Sequence, residues 1–431
     1  MQRAITFALA VAITVAAACT DQRIDPSSPT GPASTSSVTP SATPASSPSP
    51  DEPTWTRLSA PPNGTFLVRG RYPKAGSTCV GVEQAVLVAR YPGTIRVRLT
   101  EDGSLAIAAI LPFDRYLEGI AEVPSSWPAA ALEAQAIAAR SYALATTGWS
   151  GQEGETLDEP ICATSSCQVY RGIPVPRDRT HRRWVRAVRR TDGLVLLHGD
   201  RPATTVYFST SNGRTYGNED VFGSDPLPYL RPVVERDDGA SPTSHWSVRI
   251  PYRDLGRFLA RADLWPRGRT IQRVRPGSDT VRVRGGGAHR TIAVDDLSDA
   301  VNTWAACLEP RRYPPGQLPT TIPSGWLRLS AGGDALVVTG RGWGHGAGMV
   351  QWGAYGKARN GWSAEEILAF YYGGLRPEPF PEPGTIRVVV ATGLTRLRIV
   401  PSGPGARLQG TPLDARRVVI EPTEDGIAVR A

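Results

Sequence analysis

Residues 117–144, LEGIAEVPSSWPAAALEAQAIAARSYAL, constrain the fold of this chain more than any other stretch. A helical rhythm over residues 116–121 runs into Val123 and Pro124. A residue that precedes proline is pushed out of the helical region, which predicts a helix end near Glu122. Pro128 suits the first turn of a second helix, where its missing N–H has no intrahelical partner anyway, with Ser125 and Ser126 as candidate caps and an end near Ala145. Leu132, Ala136, Ile137, Ala139, Ala143 and Leu144 lie all round that helix, so it has to be enclosed on every side.

The enclosing material reads as a sheet. EQAVLVARYP, TIRVRLT and LAIAAILP, between residues 65 and 111, have the composition of antiparallel strands and lead straight into the Glu122 region. With 44 Gly and 39 Pro, the chain has too many turn formers for a helix bundle. The expected class is α+β: a loop-rich single domain with an antiparallel sheet around a buried Ala-rich helix, a small inserted or satellite region, and a C-terminal β segment. Residues 55–106 form the N-terminal β region, 107–375 the main domain with 226–323 as an insertion, and 376–431 the last strands. Further expected elements are a basic helix near 180–191, strands LVLLH, ATTVYFST, HWSVRI and TVRVRG, helices at 252–262 and DDLSDAVNTWAAC, and a Ser363/Glu366 capping box before SAEEILAFYY.

The N-terminus has the layout of an exported precursor. One Arg and an apolar run end in Ala-Ala-Ala-Cys, so residues 1–18 read as a signal peptide and Cys19 as a lipidated cysteine, although Ala16 stands where leucine is usual. A transmembrane anchor is the rival reading, and the run is shorter than the ~20 residues that would need. Residues 19–54 are Ser, Thr, Pro and Ala with hardly a large apolar side chain, which predicts a disordered tether. The expected location is extracytoplasmic, on the outer face of the membrane through a lipid anchor.

Net charge is +8 and the sequence pI near 9.4, yet no recognition helix, RNP-like strand or zinc module appears, which argues against nucleic acid. For an exported chain the accessible polyanions are those of the cell wall. HRRWVRAVRR, 181–190, reads equally as a basic face for such a polymer or as a solvated helix surface. Apart from Cys19 there are four cysteines, Cys79, Cys162, Cys167 and Cys307. An even count in an exported chain suggests disulfides. Cys162 with Cys167 is the natural local pair and Cys79 with Cys307 would tie early strands to a late helix, though three connectivities stay open.

One carboxylate stands out chemically. Glu122, at the junction of a buried helix and a proline-broken turn, would be partly desolvated, which raises its pKa and suits a general acid; a lone Glu more often caps a helix or pairs with Arg. Tyr207, Ser209, Thr210 and Ser211 ahead of Gly213 can present hydroxyls to a sugar or make an ordinary Ser/Thr turn. Alternating glycines at 340–348 allow unusual backbone angles and close approach of a ligand or another segment. No Lys-Ser/Thr follows them, so a phosphate loop is excluded. Trp343 and Trp352 offer flat faces, and His345 is either a hydrogen-bonding group near the acid or a structural histidine.

Four blocks in order, AEVPSSWPAAALEAQAIAARSYAL (121–144), CQVYRG (167–172), VYFSTSNGRTYGNEDVFG (206–223) and GRGWGHGAGMVQWGAYGKARNGW (340–362), resemble the SpoIID/LytB family. The resemblance covers roughly residues 107–374. It implies a lytic transglycosylase acting on peptide-stripped peptidoglycan glycan strands, with Glu122 as the single acid and base and 1,6-anhydro-muramic products. Arg140, Tyr207, Ser209, Trp343 and His345 would orient sugar and stabilise charge. Some relatives carry metal near the CQVY block, but here no His lies between Ile161 and Gly172 and His181 is the nearest downstream, so no metal or other cofactor is expected. The same resemblance leaves two rivals: a non-catalytic wall-binding enhancer with a cell-wall amidase as partner, and a scaffold for a division or sporulation complex.

Overall fold

Leu105–Pro112 is the strand around which the sheets assemble, and Leu105 to Ala109 are all buried, as expected of a strand covered on both faces. The computed structural model describes residues 55–72, 86–120, 122–152, 160–173, 181–313, 322–424 and 426–431. The expected signal peptide, Cys19, the tether at 19–54 and Cys79 lie outside the described residues. Among those described, eight helices occur: α1 (Phe113–Glu118), α2 (Ala129–Thr146), α3 (Arg182–Arg190), α4 (Asn218–Phe222), α5 (Tyr252–Arg261), α6 (Val294–Leu308), α7 (Gln351–Arg359) and α8 (Ala364–Tyr371). None of them is long and apolar enough to cross a membrane.

The class is α+β, with largely antiparallel sheets. Seven strands make the main sheet, in the order Thr411–Pro412, Arg407–Leu408, Thr56–Ser59, Thr94–Leu99, Leu105–Pro112, Thr385–Leu394 and Ile161–Cys162. A five-stranded sheet runs Gly426–Arg430, Val418–Thr423, Arg396–Pro401, Thr65–Arg71 and Val86–Pro92. The first and last regions of the chain are therefore two halves of the same sheets: Ile399 lies opposite Val68, and Val388 opposite Ala109.

α2 follows its sequence closely. Ala131, Leu132, Ala134 and every residue from Gln135 to Ser141 are buried, and the small side chains let α3, α7 and α8 pack directly against it. The first helix departs from expectation. It spans Phe113–Glu118 and stops at Gly119, whose N–H bonds to Tyr116 O (2.9 Å), so the helix end falls before Glu122 rather than at it. Neither Ser125 nor Ser126 caps α2; its N-cap is Pro128 and no side chain bonds there. The Ser363/Glu366 capping box on α8 forms as expected.

A second core contains Trp246, Ile250, Leu255, Phe258, Val283, Leu297, Val301 and Val338. It is built from α5, α6, the sheet Arg273–Pro276/Thr280–Gly285/Ala288–Ala293, and the hairpin Leu327–Gly332/Ala335–Gly340, whose second strand pairs with Trp246–Pro251. This satellite thus runs on past residue 323, because its sheet takes strands from both ends of the segment. α7 went unread in the glycine-rich block because Gly353 and Gly356 hide a helix. A Cβ there would sit 2.1 Å from Tyr371 Oη and 2.0 Å from Asp237 O, so only glycine permits the packing.

Candidate active site

The segment after α1 is laced to the CQVYRG block. Ile120 forms a bridge with Tyr170, and Arg171 N–H donates to Gly119 O at 3.1 Å. From α3, Arg183 donates to Ser126 O (3.0 Å) and Trp127 O (2.9 Å), pinning the turn that leads into α2. Between these ties Glu122 has intermediate exposure, with its carboxyl crowded by protein. Val169 N–H donates to Oε1 at 3.0 Å, and the Tyr207 hydroxyl donates to Oε2. Burial pushes the Glu122 carboxyl up to about 7, against the pull of those two donors, which favour the anion.

Behind Glu122 lies a closed polar chain. Tyr116 of α1 donates to Gln168 Oε1 (2.7 Å), while Gln168 Nε2 donates to Tyr207 Oη (2.9 Å) and to Ala139 O of α2 (3.0 Å). Tyr116 and Gln168 are fully enclosed. Burial, and then the Glu122 charge, hold the Tyr116 and Tyr207 phenols above their ordinary values; Tyr142 is raised by burial too, with Glu122 adding to it. Among the described groups that act on Glu122 there is no cation and no second carboxylate. A neutral acid in a ring of phenols, with part of the residue open to solvent, can hold a proton near neutral pH and deliver it outward.

The structure brings Tyr207 to Glu122 and separates Arg140 from it. Arg140 is fully buried; its Nε lies 2.5 Å from Glu382 Oε1 and its other nitrogens bond Val188 O, Thr191 Oγ1 and Leu194 O at 3.2–3.3 Å. Arg140 is one residue past Ala139, on the side of α2 that faces α3, where its bonds brace the helix. Thr210 and Ser211 also turn inward, the first to Ser241 (2.6 Å) and Thr243 (3.0 Å), the second to Asp238 (2.7 Å). Their hydroxyls are spent inside the protein; Ser209, half-buried, contacts Thr210 Oγ1 at 3.1 Å.

The glycine loop packs on this same strand rather than on open space. Gly342 and Gly348 have φ of +73° and +75°, and a Cβ on them would meet Thr210 O at 2.6 Å and Val206 O at 2.0 Å. Trp343 exchanges both backbone bonds with Thr210 and keeps its side chain partly exposed. The Trp352 ring lies 5.0 Å from Trp127 and 5.2 Å from Tyr355 in edge-on contacts, so it belongs to an aromatic cluster against the core instead of offering a free face. His345 donates from Nε2 to Tyr207 O (2.9 Å) and accepts at Nδ1 from Ala347 N–H (3.2 Å), an arrangement that needs the neutral ring. Crowding by protein pushes its pKa down in the same sense, although the residue keeps exposed surface. His345 thus holds the backbone of the residue whose hydroxyl holds Glu122.

Cys162 and Cys167 are joined by a disulfide. Cys307 is also disulfide-bonded; Cys79, its expected partner, lies outside the described residues. With both thiols of the CQVY region oxidised and His181 bonded to Glu118 O (2.7 Å), these residues do not fit a metal, and no group of three or more His, Cys, Asp or Glu among the described residues could hold one. A cavity of about 490 Å³ lined by Glu133, Arg190, Thr191 and Glu365 includes none of Glu122's hydrogen-bond partners.

Sequence reasoning passed over Gln168, Val169 and Tyr116. The signal for the first two was at hand, since both sit inside the CQVYRG block; Tyr116 carried none, because a buried Tyr in a short helix is ordinary core.

Residues 101–198 match the sequence model of the family described as stage II sporulation protein (SpoIID). The chain is 28% identical over 267 residues to an uncharacterized protein of Brachyspira hyodysenteriae, covering 62% of this chain and 66% of that one. It is 26% identical over 285 residues to stage II sporulation protein D of Bacillus subtilis, covering 61% of this chain and 74% of that protein. To the amidase enhancer of Bacillus subtilis it is 26% identical over 298 residues, covering 59% of this chain and 38% of the other.

Proposed function

We propose, from the premise that this chain carries a SpoIID/LytB-family domain, that it is a lytic transglycosylase of peptidoglycan glycan strands with Glu122 as sole acid and base. The observation that supports the reading is one crowded carboxyl, bonded by the Tyr207 hydroxyl and Val169 N–H and pushed by burial to about 7, with no second carboxylate acting on it among the described residues. Ordinary glycoside hydrolases need two carboxylates, one as acid and one to act on C1 or on water. A transglycosylase needs one. Glu122 gives its proton to the glycosidic oxygen as the bond to C1 breaks. The muramic C6 hydroxyl oxygen then bonds to C1 and its proton passes to the Glu122 carboxylate, which restores the acid and leaves a 1,6-anhydro ring and a free 4-hydroxyl. Tyr207 and Val169 N–H, already bonded to the carboxylate oxygens, stabilise the anion midway.

The test is incubation of the chain with peptide-free glycan strands and mass spectrometry of the ends. Anhydro-muramic ends are expected, with cleavage reduced on the order of 10²- to 10⁴-fold in Glu122→Gln. No product from the wild type, or equal product from the variant, rejects the enzyme. Likeness to the amidase enhancer favours one second reading, a wall-binding partner of an amidase, which predicts stimulation of an added amidase with no anhydro ends. A lipid anchor at Cys19 and an extracytoplasmic location complete the proposal.

A further inference from the structure

Gln168 can face only one way. Ala139 O accepts and cannot donate, so the atom 3.0 Å from it is the amide nitrogen, and the amide oxygen must be the one 2.7 Å from Tyr116 Oη. Tyr116 therefore donates to Gln168. The second Nε2 hydrogen points at Tyr207 Oη, 2.9 Å away, and Tyr207, having accepted it, sends its own proton to Glu122 Oε2. Val169, the next residue, covers Oε1 with its N–H. Two successive residues thus occupy one lone pair on each oxygen of Glu122, one directly and one through a tyrosine. The loop before them is fixed by the Cys162–Cys167 disulfide and by Cys167 N–H to Thr164 O (3.0 Å).

We propose that Gln168 is the positioning residue of this site: it turns the Tyr207 proton onto Glu122 Oε2, so that the exchangeable proton of the carboxyl sits on a lone pair that neither Tyr207 nor Val169 N–H occupies. The inference rests on Glu122 acting as acid and base, but its geometry stands without that reading. The titratable groups facing the carboxyl are Tyr116 from α1, Tyr142 from α2 and Tyr207, with Tyr170 packed on Tyr116 at 5.1 Å; the charge acting on Tyr170 is Arg115. All of these phenols are neutral across the range in which Glu122 titrates, so a hydrogen bond is what Gln168 can change. Its donation polarises the Tyr207 O–H and strengthens that group's hold on the carboxylate.

The test is a pH titration by NMR of the full chain carrying ¹³C at glutamate carboxyls and ¹⁵N at glutamine amides, with signals assigned through Glu122→Gln and Gln168→Met. In the wild type the Gln168 amide should shift with the same midpoint as the Glu122 carboxyl. In Gln168→Met that midpoint should rise by about half a unit to one unit, the size of one lost hydrogen bond. Gln168→Glu should raise it further, because a carboxylate there takes the Tyr207 proton for itself. A Gln168 amide that stays still through the Glu122 transition, or an unchanged midpoint in a folded variant, overturns the proposal. If Gln168→Met does not fold, the wild-type titration alone decides. None of these readouts requires cleavage, so failure to cut glycan would sink the proposed function and leave this one to stand or fall by itself.

Discussion

Glu122 and Glu235 both accept a hydrogen bond from a tyrosine hydroxyl, Tyr207 in one case and Tyr371 in the other. They differ in what else is within reach. Glu235 is buried with Lys357, whose Nζ lies 3.1 and 3.3 Å from its two oxygens and 2.7 Å from Asp237 Oδ2, and backbone N–H groups of Arg236 and Asp237 add to the set. Glu122 has phenols and one backbone N–H but, among the described residues, no cation acting on it. A tyrosine hydroxyl is therefore common to an ion-paired strut and to a carboxyl pushed up by burial; the neighbouring charge separates them. With Lys357, a carboxylate ties α7 to the 235–238 loop. Without one, the carboxyl is left to hold its proton near neutral pH.

Removing the cation is the harshest way to break this contrast. Lys357→Met should cost about 3–5 kcal/mol in urea unfolding, because it leaves a buried carboxylate uncompensated. Lys357→Met with Glu235→Gln should recover most of that loss. A small effect from the single variant would mean that Lys357 is not what sets Glu235 apart.

Glu122→Gln should act in the opposite sense on stability. The folded-state pKa of Glu122, about 7, lies above its ordinary value of 4.5, so between those pH values the unfolded chain has lost a proton that the folded one keeps. The folded state is then favoured less as pH rises, and the deficit is complete above about pH 7. The variant should match the wild type below pH 4 and exceed it at pH 8 by at most about 3 kcal/mol, less because Glu122 keeps some contact with solvent. Thermal unfolding across that pH range checks the sign.

Deleting the two hydroxyls is the gentlest comparison. Tyr371→Phe and Tyr207→Phe should each remove about 1 kcal/mol of hydrogen bonding, but in different currencies. The first should appear as lower stability at every pH. The second should appear as a higher Glu122 midpoint and an upward shift of the basic limb of the cleavage profile. Identical behaviour of the pair would erase the distinction between strut and acid.

Part of the candidate site was legible in the sequence. The proline-broken turn before an all-round apolar helix pointed to the desolvation of Glu122, although the helix end expected near it falls at Gly119. Tyr207 was named, but from resemblance. Arg140 was named from resemblance, whereas its ion-pair partner Glu382 comes from a distant segment that position along a helix does not reveal. Thr210 and Ser211 read as surface donors because a hydroxyl's satisfaction depends on Asp238, Ser241 and Thr243, some 30 residues away. In the fold, individual strands could be read from alternation and β-branched residues, whereas the pairing of residues 385–401 with 65–112 could not, because register across such a separation leaves no local trace.

That pairing has a temporal consequence. Thr385–Leu394 lies beside the strand that runs directly into α1, so the sheet that leads into that helix is incomplete until residues 385–394 have emerged. Contacts of such long separation form slowly. A chain clipped before Thr385 would keep Glu122, Val169, Gln168 and Tyr207 and still lack the strand that pairs with Leu105–Pro112.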